Sequence, residues 1–307
     1  RDLNTQRLAK AREVHHFSEL RLSVGKGLHS DNPVSGTHDL SFETAIYSPP
    51  IADSWRLFGG HRFAKGNFEE GTGSRRQLFA GIEWRPRDAW GELELSSVNF
   101  HGENKPGVRL SAAHDVNDRW QQGGELERIS QQTPLRALRN GVSANRGEGW
   151  LRWYQNERRE YRVSVAASRF TDHNRRQEYT LSGKERLWQT PWLTLDLQPG
   201  LAASANSHTD TAYYSPARDL AATAALTVDH TLYQRYDTVW SQQLLAGGGS
   251  YWQKNHAAGA ITTLGYGQRL RWNNLVDAGV MLNWDKRPYD GKRENNLAIT
   301  VDANIRF

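Results

Sequence analysis

Apolar side chains recur at every second residue through most of this chain. The rhythm is fullest in NNLAITVDANIRF, residues 295–307, where Leu297, Ile299, Val301, Ala303, Ile305 and Phe307 alternate with Ala298, Thr300, Asp302, Asn304 and Arg306. Successive strand residues point to opposite faces, so this segment carries one apolar and one mostly polar face. Its length suits a tilted strand crossing a bilayer, although any half-buried strand alternates in the same way. Leu20, Leu22 and Val24 oppose Glu19, Arg21 and Ser23, and Leu40, Phe42, Thr44 and Ile46 oppose Asp39, Ser41, Glu43 and Ala45. Leu78, Ala80, Ile82 and Trp84 oppose Gln77, Gly81, Glu83 and Arg85, and the runs beginning at Tyr161, Leu220 and Val276 repeat the pattern. Around residues 55–63, 192–205 and 238–252 the alternation weakens and assigns no face. Residues 1–13 differ: Leu3, Leu8 and Ala11 fall on one helical face among Arg7, Lys10 and Arg12.

Turn formers punctuate the strands at Pro49-Pro50, Pro86-Arg87-Asp88, Asp115 to Asp118, Asn156-Glu157-Arg158, Thr190-Pro191 and Asn273-Asn274. Between them, longer polar connections are expected near 27–37, 64–75, 99–107, 129–143, 170–178, 206–216, 247–257 and 285–295. Strict alternation of short and long connections is expected when short turns face the periplasm and long loops face outward. The expected fold is all-β: a transmembrane antiparallel up-and-down β-barrel of about sixteen strands over 14–307, with a short helical lead over 1–13. An even strand number places both ends of the barrel on the periplasmic side. Thr133, Pro134 and Gly141 predict a capped short helix in the longest loop, folding over or into the pore.

Composition narrows the chemistry. The 307 residues include no cysteine, which excludes thiol chemistry, Cys-ligated metals and disulfides. No apolar run approaches the length of a spanning helix, whereas alternation lets a barrel remain hydrophilic on average. Twelve Trp, eleven Tyr and nine Phe would supply aromatic girdles at two interfaces. A net charge of +5 is compatible with nucleic acid or anionic lipid and does not decide between them. A start at Arg1 and a single methionine, Met281, suggest a piece of a longer or processed precursor.

Catalytic and cofactor motifs are missing: no P-loop, nucleophile elbow, H-E-x-x-H or dinucleotide fingerprint occurs. His15 and His16, if on a strand, point to opposite faces and cannot share a metal. Glu92/Glu94 and Glu125/Glu127 are spaced i, i+2, about 7 Å apart on one face. That spacing falls in the glycosidase range, and a row of carboxylates lining a wet lumen produces it equally. Lumen lining is preferred because Leu93, Leu95 and Leu126 occupy the other face. Arg175-Arg176 and Lys292-Arg293 are expected in outer loops, solvated or in contact with lipopolysaccharide phosphates. A barrel enzyme would need Ser, His and acidic groups at one rim, but His101, His114 and His173 are scattered. A soluble carbohydrate-binding β-protein would be equally rich in Trp and Tyr.

Four stretches together (residues 295–307, RPRDAWGELELS at 85–96, GEGWLRWYQNERREYRVSVAASRF at 147–170 and RWNNLVDAGVMLNWDKRPYDG at 271–291) resemble the barrel domains of the poly-N-acetylglucosamine export porins of enterobacterial biofilms. The resemblance runs from about Val14 to Phe307. It implies an outer-membrane barrel that follows a periplasmic helical-repeat domain, with no cofactor, metal or nucleic acid. In that family the repeat domain binds the polymer and docks a periplasmic deacetylase lipoprotein, functions not expected of this stretch. The aromatic terminus Phe307 resembles a recognition tag for barrel assembly. A partially deacetylated polymer carries spaced ammonium groups, so an acidic lumen would attract it. Candidate lining residues by alternation are Asp39, Glu43, Glu83, Glu92, Glu94, Glu125, Glu127 and Glu148, with Trp90, Trp150 and Tyr154 as sugar-stacking surfaces. Arg21, Arg85, Arg109 and Arg152 fall on the same faces, which makes the expected lining mixed.

Overall fold

A computed structural model describes residues 14–30 and 37–307. The helical lead expected over 1–13 lies outside them. Sixteen strands run in order: β1 (Glu19–Ser30), β2 (Thr37–Tyr47), β3 (Trp55–Phe68), β4 (Gly71–Trp84), β5 (Ala89–Phe100), β6 (Glu103–Asp115), β7 (Trp120–Arg128) and β8 (Ala144–Asn156). They continue as β9 (Arg159–Phe170), β10 (Arg175–Gln189), β11 (Leu193–Asn206), β12 (Arg218–Arg235), β13 (Thr238–Gln253), β14 (Gly259–Trp272), β15 (Val276–Tyr289) and β16 (Lys292–Arg306). A short helix, α1 (Leu135–Arg139), interrupts the β7–β8 connection. Each strand pairs antiparallel with its sequence neighbours, and β1 closes onto β16 from Glu19↔Arg306 to Ser30↔Asn296. Closure leaves no sheet edge, the condition a β-structure must meet in hydrocarbon.

The alternation read from sequence becomes two surfaces. Leu57, Leu78, Leu95, Leu126, Val163, Leu244 and Leu264 are exposed on the outer wall, an apolar belt that makes sense only against lipid. No described helix is long and apolar enough to cross a membrane. The girdles are unequal. Trp55, Trp84, Trp120, Trp153, Trp188, Trp192, Trp240 and Trp272 gather at the rim where the chain's ends meet, with Trp55 and Trp84 6.0 Å apart. At the opposite rim, the loop end, Trp252 stands outward and much of the wall is charged.

All six turns marked by turn formers fall between strands as expected. A seventh, Tyr236-Asp237, carries no such mark. Several connections expected to be long are not. Residues 64–75, 99–107 and 285–295 are mostly strand, joined by two-residue turns at 69–70, 101–102 and 290–291, so the strict long–short alternation fails. The reason is that a strand projecting past the hydrocarbon has water on both faces and loses its apolar side. His101-Gly102 (φ 53° and 75°) and Asp290-Gly291 (φ 51° and 80°) adopt the doubly positive turn that matches strand twist. Genuinely long described connections are 129–143 and 207–217. The strands also begin later than expected: Val14 and His15 are still helical and His16 is in a turn, so the two imidazoles, 5.7 Å apart edge to face, are not strand neighbours.

Candidate functional site: the barrel lumen

The interior of β1–β8 is a wall of ion pairs. Glu19 accepts hydrogen bonds from Arg21 (2.8 Å), Arg56 (2.6 Å) and Asn304 (2.7 Å), and Arg56 continues to Glu83 at 2.8 Å. One layer toward the loops, Arg62 donates in bidentate fashion to Glu94 at 2.9 and 2.8 Å and lies 3.2 Å from Glu43. Arg109 bridges Glu92 and Glu94 and donates to Ser111, which donates to Glu125 at 2.8 Å. Arg62 and Glu94 are only 8% and 2% exposed, so their charges cancel inside the wall rather than facing water. Phe58, Phe79 and Tyr47 fill the space between these pairs, with the Arg62 guanidinium 3.8 Å above Phe79. Glycine makes this packing possible: a Cβ at Gly60 would meet the Phe79 ring at 2.6 Å, and one at Gly81 would meet Phe58 at 2.4 Å.

Two loops fold inward from the loop end. In the first, 129–143, Leu135 and Leu138 pack with Ala64, Val98, Phe100 and Ile129, while Ala137 joins Ala144, Phe170 and Tyr213. Glu127 accepts from the Gln131 N–H (2.7 Å) and Ser130 Oγ (3.1 Å), and Arg75 donates to the Gln131 carbonyl at 3.0 Å. The expected cap is altered: Pro134 occupies the N-cap, and Thr133 donates instead to the Ser130 carbonyl. Gly141 does end the helix with φ +75°. At the rim, Arg136 binds Glu70 at 2.8 and 3.0 Å, and this contact holds the Glu70 carboxyl below its usual range. In the second loop, 207–217, Tyr213 stacks 4.7 Å from Phe170 and accepts from Asn174 at 3.0 Å; burial raises its hydroxyl pKa. Between the loops lies a 790 Å³ cavity bordered by Glu70, Arg136, Asn140, Tyr213, Tyr214, His256 and Asp290.

The interior of β9–β16 is different. Thr180 and Ser182 on β10, Ala202 on β11 and Thr300 on β16 are exposed, although their neighbours Leu181, Leu201 and Val301 are exposed on the opposite face. Both faces of these strands meet solvent or lipid, so open lumen runs along this side. Ser164, Gly200, Thr223, Ala225, Thr263, Gly265 and Gly279 continue the short-chained lining.

The candidate residues are distributed unevenly over this geometry. Glu83, Glu92 and Glu94 belong to the paired wall. Glu43 is 44% exposed beside Arg62, and Glu148 pairs with Arg146 at 2.9 Å. Glu125 is held by the Ser111 hydroxyl, and Glu127 anchors the first loop. Trp90 donates to Glu83 at 3.3 Å; Arg162 and Arg152 cover one face each of Trp150 and Tyr154, at 4.7 and 5.1 Å. Asp39 lies on β2 at a position whose side chain is outside the described residues. Arg85 lies just past the end of β4, with its guanidinium 3.9 Å from Glu83 at the mouth of the lumen beside Arg21 and Arg56, and Arg152 binds Glu160 at 3.0 Å. Sequence reasoning missed Arg56 and Arg62, because both lie in the 55–63 stretch that had no assignable face. The expected loop cations are on strands: Arg176 points inward to Asn206 (2.8 Å) while Arg175 is exposed outward, and Lys292-Arg293 begin β16. His101 and His173 lie at loop-end turns, and His114 at the far end of β6.

A closed sixteen-stranded barrel with an apolar outer belt and a hydrated lumen is an outer-membrane β-barrel of the porin type. Comparison with known proteins makes this specific: the chain belongs to the family described as the PgaA membrane beta barrel domain, whose model matches residues 14–307. It is 45% identical over 306 residues to the poly-beta-1,6-N-acetyl-D-glucosamine export proteins of Escherichia coli strain K12 and of Escherichia coli O157:H7. Those alignments cover 100% of this chain and 38% of each relative's length. A solved structure described as a bacterial polysaccharide outer membrane secretin superposes with a TM-score of 0.91 at 44% identity, covering 95% of this chain and 99% of that one.

Proposed function

We propose that this barrel exports poly-β-1,6-N-acetylglucosamine, partially deacetylated, across the outer membrane for biofilm formation. The observation that carries the reading is the open, short-chained side of the lumen formed by β9–β16 in a fold that matches a polysaccharide secretin. An extended sugar chain needs a smooth track with many weak contacts, because one strong site would hold it in place. Thr180, Ser182, Ala202 and Thr300 form such a track. Glu125, held by a hydroxyl rather than a guanidinium, and Glu43, 44% exposed beside an Arg62 committed to Glu94, offer acceptors to passing ammonium groups, whereas Glu148 is already paired with Arg146. Trp90, Trp150 and Tyr154 offer ring surfaces for sugar faces. Glu83, Glu92 and Glu94, with their arginines, give the opposite side its shape, and Glu127 holds the first loop. The barrel itself supplies no force, so movement is driven by polymer synthesis at the inner membrane. Docking of the periplasmic deacetylase lipoprotein falls to a region of the longer protein outside this barrel. Phe307, whose N–H and carbonyl pair with Ser18 at 3.0 and 2.8 Å while its ring stays exposed, is the contact for the barrel assembly machinery.

The test is channel block in planar bilayers. Oligomers containing glucosamine should interrupt the current in a voltage-dependent way, and fully acetylated oligomers of the same length should do so less. No block by either would remove the polymer from this lumen.

A further inference from the structure

On the outer wall, next to the loop end, an arginine row lies directly above an apolar hollow. Arg169 and Arg175 are direct cross-strand partners on the lipid side of β9 and β10, and Arg169 is also opposite Asn145 of β8. Asn145 accepts the Ile129 N–H at 3.2 Å, which brings Arg128, at the end of β7, into the same row. All three arginines are exposed, and among the described residues none is ion-paired. Their inward-facing neighbour Arg146, by contrast, binds both Glu148 and Glu178. Like charges directly opposite one another destabilise a sheet, and a cation on the lipid side is costly except near the interface. A bridging anion removes the like-charge penalty of the Arg169–Arg175 pair.

Below the row, toward the membrane interior, the wall recedes. Leu126, Gly147 and Ala167 follow one another across β7, β8 and β9, and a Cβ at Gly149, one step deeper, would meet nothing within 4 Å. The hollow has a volume of 650 Å³ and is bounded on its far side by Val108 and Leu110. We propose that it binds the lipid A moiety of lipopolysaccharide, with phosphates on Arg128, Arg169 and Arg175 and an acyl chain over Gly147 and Gly149. At the interstrand spacing, Arg128 and Arg175 stand about 14 Å apart. A single phosphodiester reaches one end of such a row, whereas a rigid head carrying two phosphates reaches both, and guanidinium is the side chain that grips phosphate in bidentate fashion. The site depends on the barrel's outer-membrane placement and not on what passes through its lumen.

Native mass spectrometry of the protein in non-denaturing detergent, titrated with lipid A, phosphatidylglycerol or cardiolipin, tests this. One lipid A adduct is expected, about tenfold weaker in Arg128→Gln/Arg169→Gln/Arg175→Gln and weaker also in Gly147→Leu, whose side chain would stand in the hollow. Heat-modifiable gel migration reports that each variant is folded. An undiminished adduct in the folded triple variant would overturn the proposal, as would equal binding of phosphatidylglycerol or cardiolipin. Should the triple variant not fold, Gly147→Leu and the comparison among the three lipids on the unaltered protein decide it.

Discussion

The two halves of this barrel share one fold and one outer surface yet have opposite interiors. Along β1–β8, inward positions carry Glu19, Arg56, Arg62, Glu83, Glu92, Glu94 and Arg109, cross-linked and nearly dry. Along the middle of β9–β16 they carry mostly Ser, Thr, Ala and Gly open to lumen water, and ion pairs sit toward the strand ends, as in Arg186–Asp196 and Arg269–Asp302 near the chain termini and Glu178–Arg146 toward the loops. A sixteen-stranded barrel is wide enough for an aqueous channel. Here one half, with the inward-folded α1 loop, fills part of that width, and the other half is left as a track. The difference teaches that acidic residues in a pore lining are not by themselves a path for cations. What matters is whether each carboxylate already has a guanidinium.

The largest effect that should separate the halves is on stability. Glu94→Leu leaves Arg62 and Arg109 with a buried partner removed and should cost about 3–5 kcal/mol, read as a lower unfolding temperature on heat-modifiable gels. Adding Arg62→Leu should restore part of the loss. Next, Thr180→Trp with Ser182→Trp should leave the unfolding temperature unchanged and cut single-channel conductance by roughly half, because the bulk enters the open track. A smaller effect is expected at the rim. Glu70→Ala unfastens Arg136 and should increase the frequency of large-conductance openings. Acid should act in the same way: the Glu70 carboxyl titrates below its ordinary value, so the pin is intact above about pH 4.3 and is lost as pH falls through the lower folded value. Smallest of all, Glu43→Gln should reduce cation preference in bilayer recordings slightly and leave stability alone, since Arg62 keeps Glu94.

The legibility of this molecule follows the same division. Strands with large outward and polar inward residues, such as β2, β4 and β16, were readable with their faces, because the two sides differ chemically. β13 was not, because Gly247, Gly248 and Gly249 put nothing on either face, and in β11 Pro199-Gly200 interrupts the pattern. Glu92 and Glu94 were legible as inward carboxylates, but their neutralisation was not. Their partners come from β3 and β6, and pairing across strands depends on register that alternation alone does not supply. Loop lengths were misread at Asp290-Gly291, where a hairpin signal sat inside a polar run, because polar residues mark loops only where the strand is inside the membrane.

The absence of native cysteine permits a direct test of the two-sided lumen. Single cysteines at Thr180, Ser182, Ala202 and Thr300, and for comparison at Gln77, Val98 and Ser111, would be exposed to a membrane-impermeant thiol reagent with and without glucosamine-containing oligomer. The account predicts rapid labelling of the first four, protection of those four by the oligomer, and little labelling of the other three. Equal labelling on both sides, or protection confined to Gln77, Val98 and Ser111, would contradict it.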